Sequence, residues 1–387
     1  MNKRMLFSAA AMLLFIYGGA CMKAAQNEPQ KGLTQEYLNK IAAEARIKFN
    51  MPALAITVAD SSGIRLQEVQ GTRTWNSENL VQKSDLFHIG SCSKLVLSTI
   101  AGKLVDEGRL TWQTKFFEIY PELKSSALPD YHEMTIEDLF LCEAGIKAYT
   151  SGEESFPQID LSDPQRQDKF IRYLIALNPS SKRRSDGKFE HLYSNASYMM
   201  ASAMLERISG MSYRQMTDNF LVNEMKLNLY IGWPNRHRTN QPWGHIVRGS
   251  KVEAQSPDNP YRIPELITPA GDLSLCPADY AKFIQSHLQA LRGETSCISA
   301  QSADHIHFGR EGFSLGTGNG VLENKKFSMM DGSGGTFYCR AIIVPADDFA
   351  LTIMTNAAHE KLPEPAVDWL TMKIIKKHYG WEWKFWL

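Results

Sequence analysis

Phe87-His88-Ile89-Gly90-Ser91-Cys92-Ser93-Lys94 runs directly into Leu95 to Val105, a segment apolar on nearly every face that stops at Gly108. A helix that is apolar all round belongs in the centre of a large fold. Ser91 and Lys94 would share one face of its first turn, because residues three apart on a helix are neighbours. Neither group is useful when unperturbed, since a serine hydroxyl is a weak nucleophile and a free lysine is protonated at neutral pH. Burial and a helix N-terminus both disfavour the ammonium and so make neutral amine available. The same N-terminus offers backbone N–H groups to an oxyanion. The spacing alone proves little: Ser185-Asp186-Gly187-Lys188 repeats it in a polar stretch, where Gly187 opposes a helix.

Working outward, residues 34–48 read as an amphipathic helix, followed by β-like runs at 53–59 and 64–70 around the turn Asp60-Ser61-Ser62-Gly63. A second β-rich region spans 325–330, 337–344 and 350–356, with Pro345-Ala346-Asp347-Asp348 as a turn, and a helical pattern at 363–378 follows. Helical and irregular segments fill the middle, including Ala196 to Ile208 before Gly210. The expected class is α/β of the α+β type: a mainly antiparallel sheet flanked by helices, with an inserted, mostly helical lobe. The α/β lobe would take residues 34–115 and 262–387, the helical lobe 116–261, and the cleft between them is where ligands commonly bind.

The 387 residues, 43% hydrophobic and 22% charged, suffice for a large core. Forty-two basic residues balance forty-two acidic ones, and the longest like-charged run, Lys182-Arg183-Arg184, reads as a solvated loop, so no nucleic-acid partner is expected. Residues 1–20 have the basic start, apolar run and small-residue end of an export signal, with 21–33 as a tether. Cys21 follows Gly18-Gly19-Ala20 and resembles the lipidated cysteine of a bacterial lipoprotein, although Gly18 stands where such signals usually carry leucine. The expected location is therefore the bacterial envelope, periplasmic or membrane-attached through Cys21. Cysteines 92, 142, 276, 297 and 339 show no metal-like spacing and read as buried thiols. His305-x-His307 lacks a third ligand and reads as a surface pair, so neither metal nor cofactor is expected. Trp381, Trp383, Phe385 and Trp386 read as packing residues.

The Gly90-to-Lys94 block with Phe87-His88-Ile89 resembles the nucleophile motif of the serine β-lactamase-related family, which includes class C β-lactamases and D-alanyl-D-alanine carboxypeptidases. Thr135-Ile136-Glu137-Asp138-Leu139 with Ala144-Gly145-Ile146, and Pro269-Ala270-Gly271-Asp272-Leu273 with Asp279-Tyr280-Ala281-Lys282-Phe283, resemble further family blocks in the same order. Tyr193-Ser194-Asn195 matches the family's Tyr-x-Asn motif; Tyr37-Leu38-Asn39 does so only within an N-terminal helical pattern. The resemblance implies that Tyr193 shares proton transfer with Lys94, its phenolate favoured by the ammonium, and that the Asn195 amide holds the substrate.

The third motif departs from the family, whose Lys-Thr-Gly or His-x-Gly carries a cation on an edge strand. Here the segment reads Met329-Met330-Asp331-Gly332-Ser333-Gly334-Gly335-Thr336. One register puts Met330 at the basic position, as an apolar wall, and makes the Ser333 N–H the oxyanion donor. The other puts Gly332 there and uses the Gly335 N–H. Neither supplies a cation, and Lys325 and Lys326 stand roughly 13 to 17 Å from Met330 along extended chain. The expected activity is acyl-enzyme hydrolysis of an ester or amide in a small molecule or peptide, esterase-like or D-peptidase-like, with weak β-lactamase action at most. A non-catalytic family member that binds or senses ligands is the second reading. A Ser-His-Asp hydrolase is not the expected class.

Overall fold

Strands from two distant parts of the chain build one sheet in the computed structural model, which describes residues 32–150, 154–360 and 364–380. The export-signal and Cys21 expectations, and the C-terminal tryptophans, lie outside these residues. Helix α1 (Gln35–Lys48) starts at Thr34, whose hydroxyl accepts the Tyr37 N–H at 3.1 Å, and it buries Leu38, Ile41, Ala42 and Ala45 along one stripe. Strands β1 (Ala53–Asp60) and β2 (Gly63–Gly71) follow as a hairpin. Its turn is closed by Asp60, whose carboxylate accepts the Ser62 and Gly63 N–H groups.

The central helix α2 (Ser93–Asp106) is apolar enough to bury eleven of its residues. Helix α3 (Asn195–Ser209) is capped by Ser194 and stopped by Gly210 at φ 74°, a left-handed backbone that glycine adopts without strain. Helices α4 (Pro277–Leu291) and α5 (Ala300–Phe308) lead to strands β3 (Gly318–Leu322), β4 (Lys325–Ser333), β5 (Tyr338–Val344) and β6 (Phe349–Thr355), and helix α6 (Pro365–Tyr379) follows.

The six strands order β2-β1-β6-β5-β4-β3, antiparallel throughout. Alternation along β4 and β5 sends Phe327, Tyr338 and Ile342 to one face, with α1 and α6, and Met330, Cys339, Ala341 and Ile343 to the other, with α2 and α4. The middle of the chain is less purely helical than its pattern implied. Gly244–Arg248 and Lys251–Gln255 form a hairpin extended by a parallel pairing to Ala357–His359. Leu229–Ile231 and Phe87–His88 flank Leu273–Leu275 in a third small sheet. That third sheet sets the nucleophile turn, because Phe87–His88 leads straight into it.

Candidate active site

Gly90 has φ 52°, and Gly90–Cys92 form a single 3₁₀ turn ahead of α2. The turn is held from below. The Gly90 N–H donates to His88 Nδ1 at 3.2 Å, so the proton of that ring sits on Nε2, which donates to Asp272 Oδ1 at 3.1 Å. His88 is fully buried and lies against the Trp233 ring, 4.2 Å between centroids. Ser93 Oγ donates to the Gly90 carbonyl at 2.7 Å and accepts the Leu273 N–H at 3.2 Å. Ser91 thereby sits half-buried on a turn braced from both sides.

Lys94 is fully buried, and its Nζ lies 3.2 Å from Ser91 Oγ. The same nitrogen donates to Asn195 Oδ1 and to the Ala270 carbonyl, both at 2.7 Å. No carboxylate takes part. Burial, opposed only in part by the neighbouring Cys142 and Cys92 thiols, lowers the Lys94 pKa to about 7, so a large share of the amine is neutral near neutrality. An amine in that state and at that distance can accept the Ser91 proton.

Tyr193 and Asn195 come to the same place. The Tyr193 hydroxyl is hydrogen-bonded to Ser91, and Lys94 Nζ lies 4.7 Å from the Tyr193 ring centroid. Burial pushes the Tyr193 pKa upward, so enclosure favours the neutral phenol, able to donate a proton, over the phenolate that the resemblance implies. The Asn195 amide is engaged at both ends, because its Nδ2 donates to the Tyr149 carbonyl at 2.8 Å while its Oδ1 holds Lys94. In this arrangement it orients the lysine, and the amide Nδ2 carries a second N–H beyond the one given to Tyr149. Tyr149 takes the left-handed φ of 53°, an unfavourable conformation for a non-glycine residue at the position whose carbonyl fixes the amide.

The third motif meets the nucleophile turn through glycine. A Cβ on Gly332 would lie 2.0 Å from the Ile89 carbonyl oxygen and 2.9 Å from the Ser91 nitrogen. A Cβ on Gly90 would lie 2.4 Å from the Ser333 nitrogen. Backbone approach this close tolerates no side chain, which accounts for both glycines. The Ser333 nitrogen is therefore beside the turn, whereas the Gly335 N–H is already donated to Ser333 Oγ at 3.0 Å. Gly334 packs on His88 and Trp233, and its carbonyl accepts the Tyr261 hydroxyl at 2.7 Å.

Met330 departs from its expected place as an open wall. It is 2% exposed and packed in the core on the α2 side, because strand alternation turns it inward, and its carbonyl lies 3.6 Å from Cys92 Sγ. Asp331 points to the opposite face, where Arg340 grips it with contacts of 2.6 and 2.7 Å and also reaches Asp368 at 2.7 Å. Lys325 is paired with Asp347, and Lys326 lies over the Phe308 ring.

Other expectations resolve as follows. Lys188 of the second Ser-x-x-Lys pairs with Asp138 in the loop, and the Tyr37 hydroxyl donates to the Lys373 carbonyl at the far side of the sheet. The basic run is more ordered than a solvated loop, because Arg184 pairs with buried Glu143 and Arg183 with Asp130. His307 is buried, not at the surface, while His305 pairs with Glu137. The five cysteines are free thiols, four of them buried. Among the described residues no group of three His, Cys, Asp or Glu could hold a metal. Sequence reasoning missed the Ala270 carbonyl, the His88–Asp272 brace and Tyr149. The first two lie inside blocks quoted for their resemblance, but carry no signal for these bonds.

Residues 38–373 match the beta-lactamase family. Solved structures share the fold at low identity. The octameric penicillin-binding protein homologue from Pyrococcus abyssi aligns with TM-score 0.70 and 17% identity over 89% of this chain and 77% of that one. A class C beta lactamase from Rhodobacter sphaeroides gives 0.67 and 16% over 87% and 99%, and D-alanine carboxypeptidase AmpC from Burkholderia cenocepacia 0.67 and 16% over 88% and 97%. With Ser91, Lys94, Tyr193 and Asn195 converging in a fold of this type, and a family match spanning most of its length, the chain belongs to the beta-lactamase family.

Proposed function

We propose that this protein is a serine hydrolase that forms an acyl-enzyme on Ser91, with esters or amides lacking an essential carboxylate as substrates. One observation carries the reading: a fully buried Lys94, unpaired by any acid, stands 3.2 Å from Ser91 Oγ. Neutral Lys94 takes the Ser91 proton as Oγ attacks the substrate carbonyl. The N–H groups of Ser91 and Ser333 receive the oxyanion, as the close contact of Gly90 with Gly332–Ser333 supports. The Tyr193 phenol, hydrogen-bonded to Ser91, relays a proton to the leaving group and is restored from Lys94. Water then repeats the attack on the acyl carbon with Lys94 as base.

Substrate choice follows from the third motif. Its inward-facing residues, Ser328, Met330 and Gly332, carry no charge, so penicillins and peptide C-terminal carboxylates lose an anchor that neutral acyl groups do not need. An envelope location, with attachment through a lipidated Cys21, belongs to the same proposal and is tested by palmitate incorporation that Cys21→Ala abolishes.

The deciding experiment is labelling with a fluorophosphonate probe, alongside hydrolysis of a neutral p-nitrophenyl ester. Wild type should label and turn over, and Ser91→Ala should do neither. A folded wild type that does neither would favour the non-catalytic reading, which the uncharged third motif otherwise supports only in part.

A further inference from the structure

Two fully buried histidines, His287 on α4 and His307 on α5, play no part in the chemistry above. They touch each other and two hydroxyls. His287 Nε2 lies 3.0 Å from Thr99 Oγ1, His287 Nδ1 lies 2.9 Å from His307 Nε2, and His307 Nδ1 lies 2.7 Å from Ser328 Oγ.

The proton positions follow from one fixed end. Thr99 Oγ1 donates its only proton to the Leu95 carbonyl at 2.6 Å, so it must accept from His287 Nε2–H. His287 Nδ1 then carries a lone pair and accepts from His307 Nε2–H. His307 Nδ1 in turn accepts the Ser328 hydroxyl proton. Every ring nitrogen is satisfied with both rings neutral, and no carboxylate is needed. Burial, which lowers the His287 pKa to about 3 and His307 also, maintains that state.

The ends of this chain of bonds are what give it meaning. Ser328 stands on β4, four residues before Gly332 and on the same face of the strand. Thr99 stands on α2, and the bond it passes on reaches Leu95, the residue after Lys94. Apolar packing between a strand and a helix tolerates small slides, whereas a run of directional bonds between buried groups does not, because any slip leaves an unpaired donor or acceptor.

Resting on the serine acyl-transfer reading, we propose that Thr99, His287, His307 and Ser328 form a positioning chain that fixes the oxyanion-binding strand against the helix bearing the nucleophile. The four residues touch no substrate. They act through the spacing between Gly332–Ser333 and Ser91.

Thr99→Val and Ser328→Ala each remove one terminal hydroxyl with little change in volume, and Thr99→Ser and Ser328→Thr keep it. Each is compared with wild type for kcat and KM on a neutral p-nitrophenyl ester, and for melting temperature. The hydroxyl-deleting variants should lose about tenfold or more in kcat with KM within about twofold. The hydroxyl-keeping variants should stay within about twofold of wild type. The double variant Thr99→Val/Ser328→Ala should lose no more than the worse single one, since both cut one chain. Deletions that lower the melting temperature but keep kcat at 25 °C, losses that multiply in the double variant, or hydroxyl-keeping variants as impaired as the deletions would each overturn the proposal. Wild type that neither labels with the fluorophosphonate nor cleaves the ester would overturn the acyl-transfer reading and this inference together, and is distinguished by being measured first.

Discussion

The buried lysine should be visible in the pH dependence of stability, separately from any assay of turnover. Lys94 falls from an ordinary 10.5 to about 7 in the fold, because its ammonium would be buried without a carboxylate partner. Between those two values the unfolded chain holds a proton on this group that the folded chain has released. Where the unfolded state binds more protons, stability rises with pH. The penalty of the buried ammonium is therefore fully present below about pH 7 and is relieved progressively toward pH 10. Across those three pH units the shift corresponds to about 4 kcal/mol, taken as a ceiling. Lys94→Met isolates the effect. It leaves the Ala270 carbonyl and Asn195 Oδ1 without their donor, a cost of about 1–3 kcal/mol each. That cost does not vary with pH, so it cancels from the slope. Urea unfolding of both proteins at half-unit steps from pH 6 to 10 should show the wild type gaining on the variant by several kcal/mol, almost all of it above pH 7. A difference that stays flat with pH would refute the claim that Lys94 is held neutral, and with it the account of how Ser91 is activated.

Tyr193→Phe, which deletes a hydroxyl bonded to Ser91, should lower kcat by about 10²-fold or more while the melting temperature moves little; near-normal turnover would remove the tyrosine from the proton path. Gly332→Ala should be inactive or fail to fold, because its Cβ would meet the Ile89 carbonyl oxygen at 2.0 Å, and ester hydrolysis with circular dichroism decides between these outcomes and an unaffected enzyme. Arg340→Met should destabilise the fold by about 3–5 kcal/mol in urea, since it strips a buried cation from Asp331 and Asp368. It should leave KM for esters unchanged, because the pair lies on the sheet face away from Ser91. For two esters differing only in a carboxylate on the leaving side, kcat/KM should not favour the acid, whereas a charge-assisted anchor worth about 1.5–3 kcal/mol would favour it by at least tenfold, and nitrocefin turnover should be correspondingly slow.

Much of this site was legible because its parts are local. Ser91 and Lys94 stand three residues apart at the start of an apolar run, and Tyr193-Ser194-Asn195 precedes a helix with a clear glycine stop. The hairpins at 53–71 and 325–355 showed in alternation and turn residues. What stayed hidden depends on contacts between distant segments. The strand pairing of 244–248 with 357–359 is set by packing of the chain's far end, and a five-residue run carries no trace of it. The His287–His307 contact joins two helices, so His307 read as half of a surface pair with His305, and nothing marked His287. The protonation of Tyr193 and the burial of Arg184's partner Glu143 are properties of enclosure that no local pattern encodes.

The third motif separates two requirements that the family usually meets in one place. Close approach to the nucleophile turn is a backbone property and rests on glycine, as the contacts between Gly332, Gly90 and Ser333 require. The anchoring cation is a side-chain property and depends on which face of β4 a residue takes. Strand alternation gives the inward face to Ser328, Met330 and Gly332, and the outward one to Phe327, Met329 and Asp331. The only charge in this stretch, Asp331, therefore faces away from Ser91, and Arg340 answers it there. Losing the cation leaves the glycine contact, the lysine and the tyrosine undisturbed. Under the proposed function, bond making at Ser91 and retention of an anionic substrate can thus change independently in this fold, with only the second given up here.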